Sequence, residues 1–224
     1  MDSGKSSLRR RPAPSSRLAC VLAALAGNAW AQTPGADPRP GVAALDHFLA
    51  NVHSLTADFQ QEIWTADQRL LETTTGTLAL ARPNRFLWRS AEPVELLVVA
   101  DGEELWTYDA ELEQATRAPL DETAGASPAM LLSGDASVRE QFDVARDFSF
   151  DGLDWVELAP NVDGADFTSV RIGFNGGVPD QLELVDGLNQ VTRIDFANVA
   201  VNPELPPATF EFEAPPGVDV LGGR

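Results

Sequence analysis

The chain is punctuated by turn pairs at short, regular intervals. Asp101-Gly102, Asp151-Gly152, Gly176-Gly177 and Asp186-Gly187 each separate two runs whose apolar residues recur at every second position. Such pairs supply the left-handed backbone that tight hairpins need. Runs of this kind, joined this closely, leave no room for crossover helices, so strand pairing must be antiparallel. The runs fall near Leu70–Ala81, Arg85–Arg89, Val94–Ala100, Glu103–Tyr108, Leu112–Arg117, Asp143–Phe150, Leu153–Leu158, Phe167–Phe174, Gln181–Val185, Leu188–Val199 and Thr209–Phe212, with a further strand opening at Ala57. The expectation is a mainly β fold with few helices: an open (incomplete) antiparallel β-barrel of about 11 strands.

Two segments depart from that rhythm. Val42, Leu45, Phe48, Leu49, Val52 and Leu55 recur at three- and four-residue spacing, which predicts an amphipathic helix over Val42–Leu55. Ser127-Pro128 reads as an N-cap followed by proline at the first helical position, opening a short apolar helix Pro128–Leu132 that stops at Ser133-Gly134. Ser137 to Gln141 is expected to add one more helical turn. A sheet of this width is not easily filled by its own side chains, and only two candidate helical segments, Val42–Leu55 and Pro128–Leu132, are available to plug it, which argues against an ordinary filled core.

The first 31 residues read as an export leader. Lys5, Arg9, Arg10, Arg11 and Arg17 precede the apolar run Leu18–Ala26, and Ala29-Trp30-Ala31 fits a cleavage site. Arg9-Arg10 is followed by Arg-Pro-Ala-Pro, which favours the general export route over the twin-arginine one. Cys20 precedes most of the apolar run and so does not fit a lipid-attachment site. Residues 32–40 read as a flexible Pro/Gly-rich linker, and 41–224 as a single domain. Without the leader the chain keeps 11 arginines, no lysine, 33 carboxylates and no cysteine, a formal charge of −22. That charge disfavours nucleic acid and anionic lipid surfaces, and disulfides are impossible. No later run is apolar enough to span a membrane as a helix, so stable membrane insertion is not expected.

Apart from a carboxylate pair, which 33 scattered acids leave open by composition, reactive constellations are missing from the sequence. His47 and His53 are six apart on the predicted helix and point in different directions, which excludes a shared metal. No nucleophile elbow, phosphate loop or dinucleotide fingerprint occurs, and neither a catalytic residue nor a cofactor is expected. Alternation instead builds apolar surface. Phe86 and Trp88 share one face of their strand, while Arg85, Leu87 and Arg89 share the other, which is expected to meet water. Leu96–Ala100 is apolar on both faces, and Trp106 and Tyr108 lie together on one face of the next strand. An apolar wall without reactive groups suits a protein that holds a greasy ligand rather than transforms one.

The motifs Gly76-x-Leu78, Arg82-Pro83-Asn84-x-Phe86-x-Trp88, Asp101-Gly102-x-x-Leu105-Trp106-x-Tyr108-Asp109 and Glu113-Gln114-Ala115-Thr116, together with the ending Phe210-x-Phe212-x-x-Pro215-Pro216-Gly217-Val218, occur in the order and at the distances found in one family. From about Val42 to Val220 the chain resembles the outer-membrane lipoprotein carrier (LolA) family. The resemblance implies a hydrophobic cavity between the open barrel and an α-helical lid. It implies a monomeric periplasmic chaperone of a Gram-negative bacterium. Its expected partners are acylated lipoproteins, an inner-membrane ABC transporter that releases them and an outer-membrane receptor. It also implies a cavity wall formed by Phe86, Trp88, Leu97, Val99, Trp106 and Tyr108. Leu45, Leu49, Met130, Leu131 and Leu132 come from the helices, and Arg82 is implied as a latch that hydrogen-bonds the lid. Alternatives are a related half-barrel sensor or receptor domain of the cell envelope and a lipocalin-type binder. The helix before the first strand and the Arg82–Trp88 motif argue against the lipocalin type.

Overall fold

The computed structural model describes residues 39–120, 128–134, 140–161 and 165–222. Twelve strands form one open, curved sheet: β1 (Ser54–Trp64), β2 (Leu70–Ala81), β3 (Arg85–Glu92), β4 (Leu96–Asp101), β5 (Glu104–Asp109), β6 (Gln114–Pro119), β7 (Phe142–Phe150), β8 (Leu153–Pro160), β9 (Phe167–Asn175), β10 (Val178–Asp186), β11 (Val191–Val201) and β12 (Asp219–Leu221). Their order is β12-β6-β5-β4-β3-β2-β1-β11-β10-β9-β8-β7. Every pairing is antiparallel except the parallel contact of β12 with β6. The expected antiparallel open sheet is therefore present. Its ends are the short β12 and the nine-residue β7.

Helix α1 (Pro40–Asn51) and helix α2 (Pro128–Ser133) pack on the same face of this sheet. Helix α1 lies on β7, β8, β9 and β10, and α2 lies on β2 and β3. The core beneath them joins Leu45, Phe48, Phe59, Leu78, Leu80, Phe86, Trp88, Leu132, Leu158, Phe174, Leu182 and Ile194. The start of α1 approaches the sheet as closely as a backbone can. A Cβ on Gly41 would lie 2.1 Å from the Trp155 carbonyl oxygen, so only glycine fits there.

Two local expectations differ from the structure. The predicted helix over Val42–Leu55 ends at Asn51, and Val52 is already extended (φ −99°, ψ 107°). Asn202 forces this end: its Oδ1 accepts the His53 N–H at 2.7 Å, and its Nδ2 donates to the Asn51 carbonyl at 3.0 Å. The expected strand Thr209–Phe212 is instead a 3₁₀ turn over Pro207–Phe210, followed by extended chain. Pro206-Pro207 removes two ladder donors at that point. The expected leader and most of the turn at Ser137 to Gln141 lie outside the described residues.

On the outer face, away from the helices, one row of alternating charges crosses half the sheet. Arg146 on β7 pairs with Glu157 on β8 at 3.8 Å, Glu157 with Arg171 on β9 at 3.2 Å, Arg171 with Glu183 on β10 at 3.4 Å, and Glu183 with Arg193 on β11 at 2.8 Å. Cross-strand register sets this ladder, since opposite residues share a face.

Candidate functional site

The helix-covered face is apolar and closely packed among the described residues. Register carries Phe86 opposite Leu80 on β2 and Ala100 on β4, and Trp88 opposite Leu78 and Val98. Phe86 is fully buried and Trp88 nearly so. Trp88 stacks on Phe59 of β1 with ring centroids 3.9 Å apart. Gly76, opposite Phe59, leaves room for this stack, because a Cβ there would lie 2.6 Å from the phenyl ring and 2.0 Å from the Arg89 carbonyl oxygen. From the helices, Leu45 and Leu132 are buried in the same core, and Leu49, Met130 and Leu131 pack partly buried against it. These seven of the anticipated side chains come together.

The other four do not join them. Leu87 stands opposite Val99, and Arg89 opposite Leu97, so both β4 residues share the face of Arg85, Leu87 and Arg89. Trp106 is opposite Val99, and Tyr108 opposite Leu97, which carries them to that outer face as well. The expectation that Leu97, Val99, Trp106 and Tyr108 line the helix-side cavity is thus corrected. The outer face there is only partly open to water: Arg89 is exposed, while Leu97, Trp106 and Tyr108 are half-buried. The 3₁₀ turn packs on β3 and β4 and buries Phe210, and Arg85 sits 5.7 Å from the Phe210 ring. Phe212 lies 5.5 Å from both Trp106 and Tyr108. Arg117, ion-paired with Glu104, covers the Trp106 ring at 5.3 Å. A second, smaller core therefore lies under the C-terminal segment.

Specific hydrogen bonds hold the helices down. Arg82 follows β2 and is half-buried. Its Nε–H donates to the Val52 carbonyl at the C-terminal end of α1, at 2.7 Å, and its guanidinium lies 4.7 Å over the Phe48 ring. The Arg82 N–H also donates to the His53 carbonyl. Two residues on, Asn84 adopts the left-handed conformation (φ 56°) that asparagine tolerates. Its N–H then donates to the Ser133 carbonyl, the last residue of α2, at 3.0 Å. One turn between β2 and β3 thus holds the C-terminal ends of both helices.

Nothing in the sequence points to the contact at the other end of α1. Asp147 on β7 accepts the Gly41 N–H at 3.1 Å on Oδ1 and the Val42 N–H at 2.8 Å on Oδ2. Within β7 the residue reads as one more solvated acid, and nothing local marks a partner 105 residues away.

His47 and His53 are both exposed, and among the described residues no cluster of His, Cys, Asp or Glu is arranged to hold a metal. No helix among them is long and apolar enough to cross a membrane.

The sequence profile described as outer membrane lipoprotein carrier protein LolA matches residues 50–213. The outer-membrane lipoprotein carrier protein of Dechloromonas aromatica (strain RCB) is 36% identical over 92% of this chain and 99% of its own length. That of Bordetella avium (strain 197N) is 37% identical over 92% of this chain and 96% of its own. Among solved structures, an uncharacterised conserved protein of Thermus thermophilus shares the fold, with a TM-score of 0.51 at 13% identity over 80% of this chain and 97% of that one. A profile match that takes in β1 to β11 and the Arg82–Trp88 motif, with relatives alike over nearly their whole length, assigns the chain to the outer-membrane lipoprotein carrier family, LolA.

Proposed function

We propose that this chain is a periplasmic carrier of acylated lipoproteins. It takes them from an inner-membrane ABC transporter, shelters their acyl chains against the helix-covered face and yields them to an outer-membrane receptor. Residues 1–31 serve as the export leader, and the protein works as a monomer without a cofactor or a catalytic step. The acyl-contact set is Phe86 and Trp88 with Leu45, Leu49, Met130, Leu131 and Leu132, joined by Phe59. Arg82 is the latch.

One observation carries this reading: a large aromatic and aliphatic face is covered by two helices whose ends are tied to the sheet by hydrogen bonds. Each buried methylene contributes about 0.8 kcal/mol, so a long acyl chain represents on the order of 10 kcal/mol of exposure to water. A lipoprotein cannot leave a membrane unless that surface is covered elsewhere. Each lid bond contributes only about 1–3 kcal/mol net, the upper end for those to a charged group. Incoming acyl chains can therefore displace the helices, and the helices can return to keep the empty face dry.

The test is release of a lipoprotein from inner-membrane vesicles, with and without the protein. A soluble carrier–lipoprotein complex is expected. Failure to form one under conditions where a known carrier succeeds overturns the reading.

A further inference from the structure

Helix α1 carries no charges suited to its own ends. Its first turn holds no acid, and its last turn holds no base. A helix of 12 residues is marginal on its own in water. The N–H groups and partial positive charge at its start favour an anion, and the carbonyls at its end favour a cation. Both are supplied by the sheet, from opposite parts of it. The Asp147 carboxylate takes the N-terminal N–H groups, and the Arg82 guanidinium takes the C-terminal carbonyl.

The positions of these two groups matter more than their charges. Asp147 lies on β7, the terminal strand of the sheet, which has a strand neighbour on one side only, β8. Arg82 lies at the turn between β2 and β3, six strands away from β7 in the sheet order β2-β1-β11-β10-β9-β8-β7. A 12-residue helix is about 18 Å long, so α1 runs as a chord between these two places. Its start rests directly on the β8 backbone at Gly41.

We propose that Asp147 is a second closing residue, which with Arg82 makes α1 a tie across the open sheet: cutting either end frees the helix and lets the β7 edge move away from β2 and β3. Asp147 is a positioning residue in this scheme. It touches no cargo, and it acts by setting how often the apolar face is open. Losing either contact therefore raises the open population. The inference rests on the carrier reading for its purpose, but the cargo-free geometry can be tested without it.

Cys20 is the one cysteine of the sequence, so two introduced cysteines can be labelled cleanly in the leaderless protein. Ala145→Cys on β7 and Thr77→Cys on β2 are both at exposed positions. Pulsed electron-spin resonance then reads the distance between the two parts of the sheet. Asp147→Asn removes the charge and one acceptor, and is expected to raise the ratio of long to short distances about tenfold without cargo, equivalent to about 1.4 kcal/mol. Arg82→Leu should shift the same distribution in the same direction. Asp147→Glu, which keeps the carboxylate, should recover part of the wild-type distribution. A mere loss of stability would lower the melting temperature but leave the folded distance distribution unchanged. An unchanged distribution in Asp147→Asn, with the protein folded, overturns the proposal. So does a shift that Arg82→Leu fails to produce. Binding of a triacylated cysteinyl lipopeptide is measured in parallel, with slower release expected from Asp147→Asn. If the lipopeptide fails to bind even the wild-type protein, the carrier reading falls, while the cargo-free distances still decide the role of Asp147.

Discussion

Replacing Gly41 by alanine tests how tightly the cover is seated. Alanine is the better helix former by about 1 kcal/mol, so on propensity alone the change stabilises α1. The structure predicts the reverse. The new Cβ would lie 2.1 Å from the Trp155 carbonyl oxygen, 2.3 Å from its carbon and 2.7 Å from the Val156 nitrogen. Carbon and oxygen approach no closer than about 3.3 Å even in favourable contacts. The start of the helix must therefore rise by about 1 Å, and no rotamer change relieves a clash between two backbones. That rise stretches the 3.1 and 2.8 Å bonds to Asp147 beyond useful range. Hydrogen bonds to a charged group contribute about 1.5–3 kcal/mol each. With partial relaxation and the propensity gain set against this, a net loss of about 2–3 kcal/mol is expected for docking, close to 100-fold in the docked-to-free ratio. Hydrogen exchange measures this directly. Amides of α1 should lose about two orders of magnitude of protection, while those of β9, β10 and β11 keep theirs. If α1 in Gly41→Ala is as protected as in the wild type, the helix is not seated as described.

Three further outcomes follow from the same geometry. Phe86→Glu places a carboxylate at a fully buried position, and should cost several kcal/mol in urea unfolding and abolish lipopeptide binding. Retained binding of a folded Phe86→Glu protein would remove Phe86 from the acyl-contact set. Glu183→Gln leaves Arg171 and Arg193 without their shared carboxylate, and should cost about 1–2 kcal/mol in urea unfolding while leaving α1 protection unchanged. Asp195 has its carboxyl held above the ordinary aspartate value of 3.8, first by burial, with Glu62 and Asp180 adding to the rise and Arg193 and Gln181 opposing it. A raised folded-state value favours folding only while the group is protonated, and that benefit is lost as pH climbs through it. Asp195→Asn should therefore raise the melting temperature at neutral pH, with the gain fading as pH falls through the raised folded-state value and gone below pH 3.8, and a loss at neutral pH would contradict the assignment.

How far the sequence can be read depends on which level of structure each signal reports. Period two and the Gly turns mark the strands and their antiparallel pairing, because both are local properties. The same alternation correctly puts Phe86 and Trp88 on one face. It does not say which face of β4 belongs with them, since Leu96–Ala100 is apolar on both sides. The outer side is apolar because Phe210 and Phe212 return from more than a hundred residues away to cover it. A clue is present in the pairing: Arg85 stands opposite Asp101 across β3 and β4, and that register places Val99 beside Leu87. The end of α1 escapes the sequence pattern because Val52 and Leu55 fit a helical spacing, while Asn202, far along the chain, ends the helix. Asp147 is invisible for the same reason: its role exists only once β7 and α1 are in contact.

The central claim is that acyl chains enter the face now filled by α1 and α2, not the apolar surface beneath the C-terminal segment. A triacylated lipopeptide with a photoreactive group near one acyl terminus distinguishes the two. After irradiation and peptide mapping, adducts are predicted on Phe59, Phe86, Trp88 and Leu45. Adducts confined to Leu97, Trp106 and Tyr108 would contradict the account.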